Sequence, residues 1–212
     1  MPSLQIRDLP EPLHRLLQHR SQAHKRSLSQ QALADLEAIA GGDPRERRRQ
    51  VLDRISRRGP PWPGPEWGSG AGRADPRRPR ALMTLTNVLD ASAAVRLILG
   101  DPAAAGLAQQ IGEAAVVLAP ELMLSEVANT LWKLWRADQL NNRDPQQLLA
   151  DARDLVDRVE PDRHLQTEAL AMACHLNHPV YDCLYLALAR REAATLISAD
   201  RRLRALAERV LP

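Results

Sequence analysis

The sequence has few of the features that mark secreted or membrane-spanning proteins. It contains two cysteines, Cys174 and Cys183, whose spacing fits no metal pair such as CxxC; we expect both to be buried as small apolar side chains and predict no disulfide scaffold. The longest run without a formal charge, residues 169–181, is too short and too polar to cross a bilayer. Because the first residues show no basic leader followed by an apolar segment, we expect a cytoplasmic protein without membrane contact.

The net charge of +3 conceals two halves of opposite sign. Residues 1–82 contain 16 Lys and Arg against 9 Asp and Glu, or +7, whereas residues 83–212 contain 13 against 17, or −4. This asymmetry indicates two domains with different partners. A basic segment favours a polyanion such as DNA, while an acidic one binds nucleic acid only when cations screen or bridge its carboxylates.

Residues 1–42 are predicted to form a strand followed by two helices. Residues 3–9 alternate between apolar and polar side chains, Pro10 ends this strand, and the first helix ends near Ala23. Ser27 or Ser29 can cap the second helix, and Gly41 and Gly42 stop it. Because so small a unit cannot bury its own core and its single strand has no partner, we expect it to dimerise through the strand.

Antiparallel pairing of two such strands would place Ser3, Gln5 and Arg7 on one face of a ribbon that fits the major groove of DNA. The stretch SLQIRDLP with two following helices resembles the ribbon-helix-helix antitoxins of the FitA/VapB type. This resemblance implies that the strand reads operator bases and that the start of the second helix grips phosphate, here through Lys25, Arg26 and Ser27. The alternative is an amphipathic strand whose polar face only meets water.

Residues 43–82 are predicted to contain a charged helix followed by an extended linker. The helix, within residues 44–58, carries Val51, Leu52 and Ile55 on one stripe, which needs a surface to pack against. From residue 59 to 82 the chain has six prolines and five glycines, which excludes a packed domain. Trp62 and Trp67 within it favour anchoring in the groove of a partner, the alternative being an idle linker.

After residue 83, strand-like and helix-like sequence alternates, which predicts an α/β domain with a mostly parallel sheet. Two predicted strands end at acids, Asp90 and Asp200, and ligand sites in such sheets lie beyond the carboxyl ends of the strands. Glu126, inside an apolar helix, and Asp182, at the start of another, are further acids in hydrophobic sequence.

Acids gathered in apolar surroundings raise one another's pKa unless a cation lies among them. A hard divalent ion, Mg²⁺ or Mn²⁺, accepts oxygen ligands alone and activates water for attack on a phosphodiester. Each acid taken singly also fits an ordinary role as a helix cap or a helix-dipole residue. We expect His175 and His178 to be packed or surface residues rather than a general base.

The stretches NVLDASA, SEVANTLW, HPVYDCLYLALA and LISADRRL together resemble the PIN-domain ribonucleases of the VapC/FitB type, over residues 83–212. This resemblance implies a metal-dependent endoribonuclease acting on RNA, which also takes part in homo-oligomer formation. The family's four metal-binding and catalytic acids correspond here to Asp90, Glu126, Asp182 and Asp200. It further implies three supporting polar groups, for which capping or packing is the alternative: Ser92, Asn129 and Ser198.

In the families resembled, antitoxin and toxin are separate chains, and the antitoxin tail lies across the nuclease groove. Here residues 43–82 would join them and hold the nuclease inactive, with Trp62 and Trp67 as anchors. Arg73 and Arg77 are the predicted inhibitory plug, because a guanidinium among carboxylates competes with a metal. Whether the segment covers its own domain or that of a dimer mate stays open. The alternative function is a DNA-binding repressor whose PIN-like domain is catalytically silent and serves in assembly.

Overall fold

The computed structural model describes residues 8–40, 44–58 and 86–211. The chain divides into two compact units, Met1–Gly41 and Gly42–Pro212. Of the predicted functional residues, Ser3, Gln5, Arg7 and the inhibitory set of Trp62, Trp67, Arg73 and Arg77 lie outside the described residues. No helix in the described part of the chain is both long enough and apolar enough to cross a bilayer.

The described part of the first unit consists of helices α1 (Glu11–Ala23) and α2 (Leu28–Ala40). Ser27 begins α2 with a reciprocal cap: its hydroxyl accepts from the Gln30 N–H at 3.1 Å, and the Gln30 side chain accepts from the Ser27 N–H at 3.0 Å. Arg20 donates to Asp35 at 3.2 Å and so ties the two helices together. Both helices confirm the predicted helix pair.

The second unit is built on four parallel strands, ordered β3-β2-β1-β4. Their bounds are β1 Thr86–Leu89, β2 Val116–Pro120, β3 Arg158–Glu160 and β4 Thr195–Ile197. The helices of this unit are α3 Pro44–Ser56, α4 Ala91–Ile98, α5 Ala105–Glu113, α6 Leu122–Arg136, α7 Pro145–Asp154, α8 Gln166–Leu176, α9 Val180–Arg191 and α10 Arg201–Val210. This arrangement confirms the predicted α/β class with a parallel sheet.

The centre of the sheet is apolar because helices cover it. Val88 and Leu118, which are aligned in neighbouring strands, are fully buried, and so is Leu186 of α9. Strand β3 was not predicted, since its three residues include two charged ones. Polar partners offset the charges here: the Arg158 guanidinium forms an ion pair with buried Glu192, and Glu160 is within hydrogen-bond distance, 2.9 Å, of Nδ1 of His164.

Helix α3 packs against the second unit through the apolar stripe predicted from its sequence, with Val51 and Ile55 buried in the core. Arg48 has no exposed surface; its guanidinium donates to the carbonyl of Ile111 at 3.1 Å and pairs with Asp157 and the Ala114 carbonyl. Ile111 and Ala114 lie on the segment that leads into β2, and Asp157 is the residue before β3. Helix α3 is therefore docked at the amino edge of the sheet.

The two cysteines differ in environment. Cys183 is buried on α9, as expected, and burial raises the pKa of its thiol. Cys174 is exposed on α8, so the expectation that it is buried is wrong. The reason is its place on the outer face of α8, where the neighbouring Met172 and Ala173 take the inward positions.

Candidate active site

Asp90 lies immediately after β1, at the carboxyl edge of the sheet, with 6% of its surface exposed. Its Oδ2 accepts a hydrogen bond from the Ser198 hydroxyl at 2.7 Å, from the Ser92 hydroxyl and from the Ser92 N–H at 3.3 Å. Burial raises the pKa of Asp90, the two serines oppose that rise, and the charge of Asp182 adds to it. The carboxylate is thus held in place but poorly solvated.

Ser198 connects Asp90 to Asp200. The Ser198 hydroxyl accepts from the Asp200 N–H at 3.0 Å while it donates to Asp90. The Asp200 side chain is exposed and caps α10, accepting from the N–H groups of Arg202 at 2.6 Å and Leu203 at 3.1 Å. Asp200 therefore stands beside the buried acid through one shared serine, and its carboxylate also performs the capping role considered from the sequence.

Glu126 projects from α6 toward Asp90 and Asp182. Burial raises its pKa, and the charges of those two aspartates raise it further. The Tyr185 hydroxyl opposes this by donating to Oε2 of Glu126 at 2.5 Å. Asp90, Glu126 and Asp182 consequently lie within electrostatic reach of one another, although they come from three different places in the chain: the end of β1, the body of α6 and the first turn of α9.

The sequence gives Tyr185 no separate role because it stands in an apolar run. It is buried, with 1% of its surface exposed. Burial raises the pKa of the phenol, and the neighbouring carboxylates raise it further, so the hydroxyl stays protonated and donates. The available signal was a polar tip within an otherwise apolar helix, since a buried tyrosine hydroxyl needs a partner.

His178 was likewise given no role, yet its Nε2 lies 2.6 Å from Oδ2 of Asp182. The spacing of four residues was the signal. Asp162 is a further acid near the site: it follows the unpredicted strand β3, its carboxylate accepts from the Leu122 N–H at 3.2 Å, and its charge raises the pKa of Glu126. Burial raises the pKa of Asp162 itself.

Asn129 is exposed on α6, one turn beyond Glu126. Of the three supporting residues expected, the structure therefore places Ser92 and Ser198 in contact with Asp90 and leaves Asn129 at the surface. In the first unit, Lys25, Arg26 and Ser27 are all exposed directly before α2.

The donor set fits a hard divalent cation by charge and atom type. Asp90, Glu126 and Asp182 offer carboxylate oxygens, and within the described residues none of the three pairs with a lysine or arginine. The raised pKa values of Asp90 and Glu126 mean that added positive charge would relieve desolvation and repulsion. No group of three Asp, Glu, His or Cys side chains in the described ranges is close enough to form a finished cage.

Comparison with family models decides the classification. The model for the PIN domain matches residues 88–209, which include all but the first two residues of the sheet and every acid of the candidate site. The chain belongs to the PIN domain family. The model for the FitA-like ribbon-helix-helix antitoxin matches residues 2–40, ahead of the PIN domain. The two matches confirm the resemblance drawn from the sequence and show a toxin–antitoxin fusion, whose PIN domain is of the nuclease class.

Among solved structures, the chain is similar to PAE2754 from Pyrobaculum aerophilum, with 25% identity, 59% of this chain and 88% of that chain covered, and a TM-score of 0.44. No curated protein matches the chain. PIN domains generally use divalent metal ions and act on RNA, and ribbon-helix-helix antitoxins generally bind DNA and oligomerise.

Proposed function

We propose that the PIN domain is a divalent-metal-dependent endoribonuclease and that the ribbon-helix-helix domain represses transcription by binding operator DNA. The observation that carries the nuclease proposal is that the charge of Asp182 raises the pKa of both Asp90 and Glu126 at the carboxyl edge of the sheet, while none of the three acids has a lysine or arginine partner among the described residues. Structural acids are normally paired or solvated, so this arrangement favours a site that receives a cation.

The roles of the side chains follow from their contacts. Asp90 is the innermost ligand proposed, and Ser92 and Ser198 fix the direction of its carboxylate. Tyr185 holds Glu126 in the same way. Asp182 and Asp200 would complete the ligand set at the more exposed rim. A divalent ion, when bound, supplies Lewis-acid charge to the phosphoryl group and lowers the pKa of water.

Two features of the first unit support DNA binding as a dimer. Lys25, Arg26 and Ser27 stand at the start of α2, where free N–H groups and the helix dipole favour phosphate. Four leucines of α1 and α2 have large exposed fractions and form an apolar surface that a second copy would cover: Leu13, Leu16, Leu33 and Leu36.

Inhibition of the nuclease by residues 43–82 is also proposed, and the position of helix α3 limits which part of this segment can contact the acids. Helix α3 is docked at the amino edge of the sheet, and Asp90 follows the carboxyl end of β1. A strand of four residues separates these edges by about 13 Å. Helix α3 therefore does not cover the acids, and the inhibitory contact is assigned to Trp62, Trp67, Arg73 and Arg77, within the same chain or in a dimer.

The test is cleavage of a labelled single-stranded RNA in Mn²⁺ by the full chain and by a full chain in which the inhibitory set is replaced (Trp62→Ala, Trp67→Ala, Arg73→Gln and Arg77→Gln). We expect cleavage by the replaced chain, little by the wild-type chain, and none by the replaced chain that also carries Asp90→Asn. Asp144→Asn is the matched control, because Asp144 also caps a helix, α7, through its side chain but lies outside the site. Intact RNA in every reaction would favour the alternative, a repressor whose PIN domain serves in assembly.

A further inference from the structure

Helix α6 carries Glu126 and, on the same side, a row of polar residues running away from the site. Asn129, Lys133 and Arg136 follow Glu126 at intervals of 3, 7 and 10 residues, which place all four side chains along one face of a helix. At 1.5 Å per residue, Lys133 lies about 10.5 Å from Glu126 along the helix axis. The row begins at the candidate site and ends at the last turn of the helix.

The two cations in this row are available for binding. Lys133 and Arg136 are both exposed, and within the described residues neither forms an ion pair with a carboxylate. Lys133 is one of only two lysines in the chain. Residues 83–212 carry a net charge of −4, so the positive charges of Lys133 and Arg136 are opposite in sign to the net charge of this half.

Trp132 flanks the far end of this row, one turn before Arg136 and about 120° around the helix from Glu126. Trp132 is 48% exposed, and the Arg136 guanidinium lies 4.8 Å from the centre of its ring. Trp135 is even more exposed, at 60%, but nine residues from Glu126 correspond to two and a half helical turns. Trp135 therefore lies on the opposite side of α6 from Glu126.

An exposed indole beside unpaired cations is the chemistry that binds single-stranded nucleic acid. Aromatic side chains stack on bases of any sequence, and neighbouring Lys and Arg contact the phosphates. Lys133 and Arg136 also suit the negative end of the helix dipole. That role explains their charge but not the exposed ring of Trp132 held against Arg136, the last residue of the row.

We propose that Trp132, Lys133 and Arg136 form a binding track for single-stranded RNA, in which Trp132 stacks on a base and the two cations contact phosphates on one side of the cleavage point. This inference rests on the nuclease function proposed above and names the residues that align the substrate with Asp90 and Glu126. Because the track recognises stacking surfaces and phosphates, it selects unpaired RNA rather than a particular base.

The experiment measures, by fluorescence anisotropy, the affinity for a fluorescein-labelled single-stranded 12-nucleotide RNA of the full chain in which the inhibitory set is replaced as above. This chain is the wild type of the comparison, and every variant below is made in it. EDTA prevents cleavage, and excess unlabelled duplex DNA occupies the ribbon-helix-helix domain. Trp132→Ala should weaken binding roughly 5- to 150-fold, while Trp132→Phe retains most of the affinity. The double change of Lys133→Gln and Arg136→Gln should reduce the slope of log K against log[salt] by about 1.4. Trp135→Ala and Arg153→Gln, an exposed arginine of α7, should stay within about twofold of wild type.

Equal affinities for Trp132→Ala and Trp135→Ala, or no binding by the wild-type chain, would overturn the proposal. A second copy of the chain is the alternative occupant of this face, and sedimentation velocity on the same variants tests it. A change in oligomeric state with Trp132→Ala would assign the face to a second copy and would also overturn the proposal. The nuclease function is tested by a different experiment, because the affinities are measured without metal and without reaction. Unchanged cleavage by Asp90→Asn would contradict the nuclease function and would leave the measured affinities as they are.

Discussion

The guanidinium of Arg48 and the carboxylate of Asp157 form an ion pair that is almost completely shielded from water, at the sheet edge opposite Asp90. Burial lowers the pKa of Arg48, and Asp157 raises it. Arg54 adds a contact between α3 and α7, 2.8 Å from the buried Asp151. Helix α3 therefore belongs to the folded body of the PIN unit, even though it lies between the antitoxin and toxin sequences.

Replacing Arg48 by Met should destabilise the PIN unit strongly, because it leaves Asp157 buried without its main partner. The expected loss is about 3–5 kcal/mol, which lowers the melting temperature by roughly 6–20 °C. Differential scanning calorimetry of the full chain measures this. Arg49→Met removes an exposed arginine from the same helix and should change the melting temperature little; equal effects of the two variants would contradict the structural role of Arg48.

Tyr185→Phe tests the positioning of Glu126. The change removes one hydroxyl, and Glu126 loses a 2.5 Å hydrogen bond that fixes its carboxylate. Since hydrogen bonds to charged groups contribute about 1.5–3 kcal/mol, we expect kcat of the full chain with the inhibitory set replaced to fall by 10-fold or more, with a smaller effect on KM. Tyr181→Phe alters the exposed tyrosine of the same helix and serves as the control. Unchanged kcat in Tyr185→Phe would remove the positioning role.

Asp90→Asn should stabilise the metal-free protein at neutral pH. The folded-state pKa of Asp90 is raised by burial, so its contribution to stability is present at low pH and is lost as pH rises through that pKa. The amide of the Asp90→Asn variant does not ionise, so the variant does not lose this stability as the pH rises. In EDTA we expect the melting temperature of the variant to exceed that of wild type at pH 7.5, with the difference shrinking toward pH 4. A wild type that is the more stable form at pH 7.5 would contradict the raised pKa.

The DNA-binding half offers two substitutions with different expected effects. Arg7→Ala should cost about 1–3 kcal/mol on operator DNA and little on random duplex, because a base contact is lost. Lys25→Gln should weaken binding to both duplexes and reduce the salt slope by about 0.9, since a phosphate contact is lost. Electrophoretic mobility shifts over a salt series distinguish them. Equal losses of Arg7→Ala on both duplexes would exclude base reading.

Much of the fold is predictable because its signals are local. The apolar run of β1 ends before Asp90, that of β2 ends at Pro120, and that of β4 ends three residues before Asp200, while α6 and α10 show clear helical periodicity. Strand β3 escapes prediction, since its pairing with β2 and the Arg158–Glu192 ion pair stabilise charged residues that carry no strand pattern. Asp162 was overlooked for the same reason, because its position follows from a strand that the sequence does not indicate.

The candidate site is only partly predictable. Asp90 and Asp200 are indicated because the carboxyl ends of parallel strands meet at one edge, which is a property of topology. The hydrogen bond from Tyr185 to Glu126 depends on how α9 is rotated against α6, which no spacing along the chain reports, whereas the contact of His178 with Asp182 is local and follows from their spacing of four residues. The apolar stripe of α3 predicts that this helix packs against a surface. The burial of Arg48 is not predictable, because its partners are carbonyls and an aspartate more than 60 residues away.

The central claim is that Asp90, Glu126 and Asp182 act together as one cation site. Electron paramagnetic resonance of free Mn²⁺, titrated into the full chain, counts bound ions directly without RNA or catalysis. We predict a site whose affinity for Mn²⁺ falls by at least about 10-fold in Asp90→Asn and in Glu126→Gln, as expected for losing a charged ligand, and is unchanged in Asp144→Asn. Identical Mn²⁺ binding by wild type and all three variants would contradict the claim.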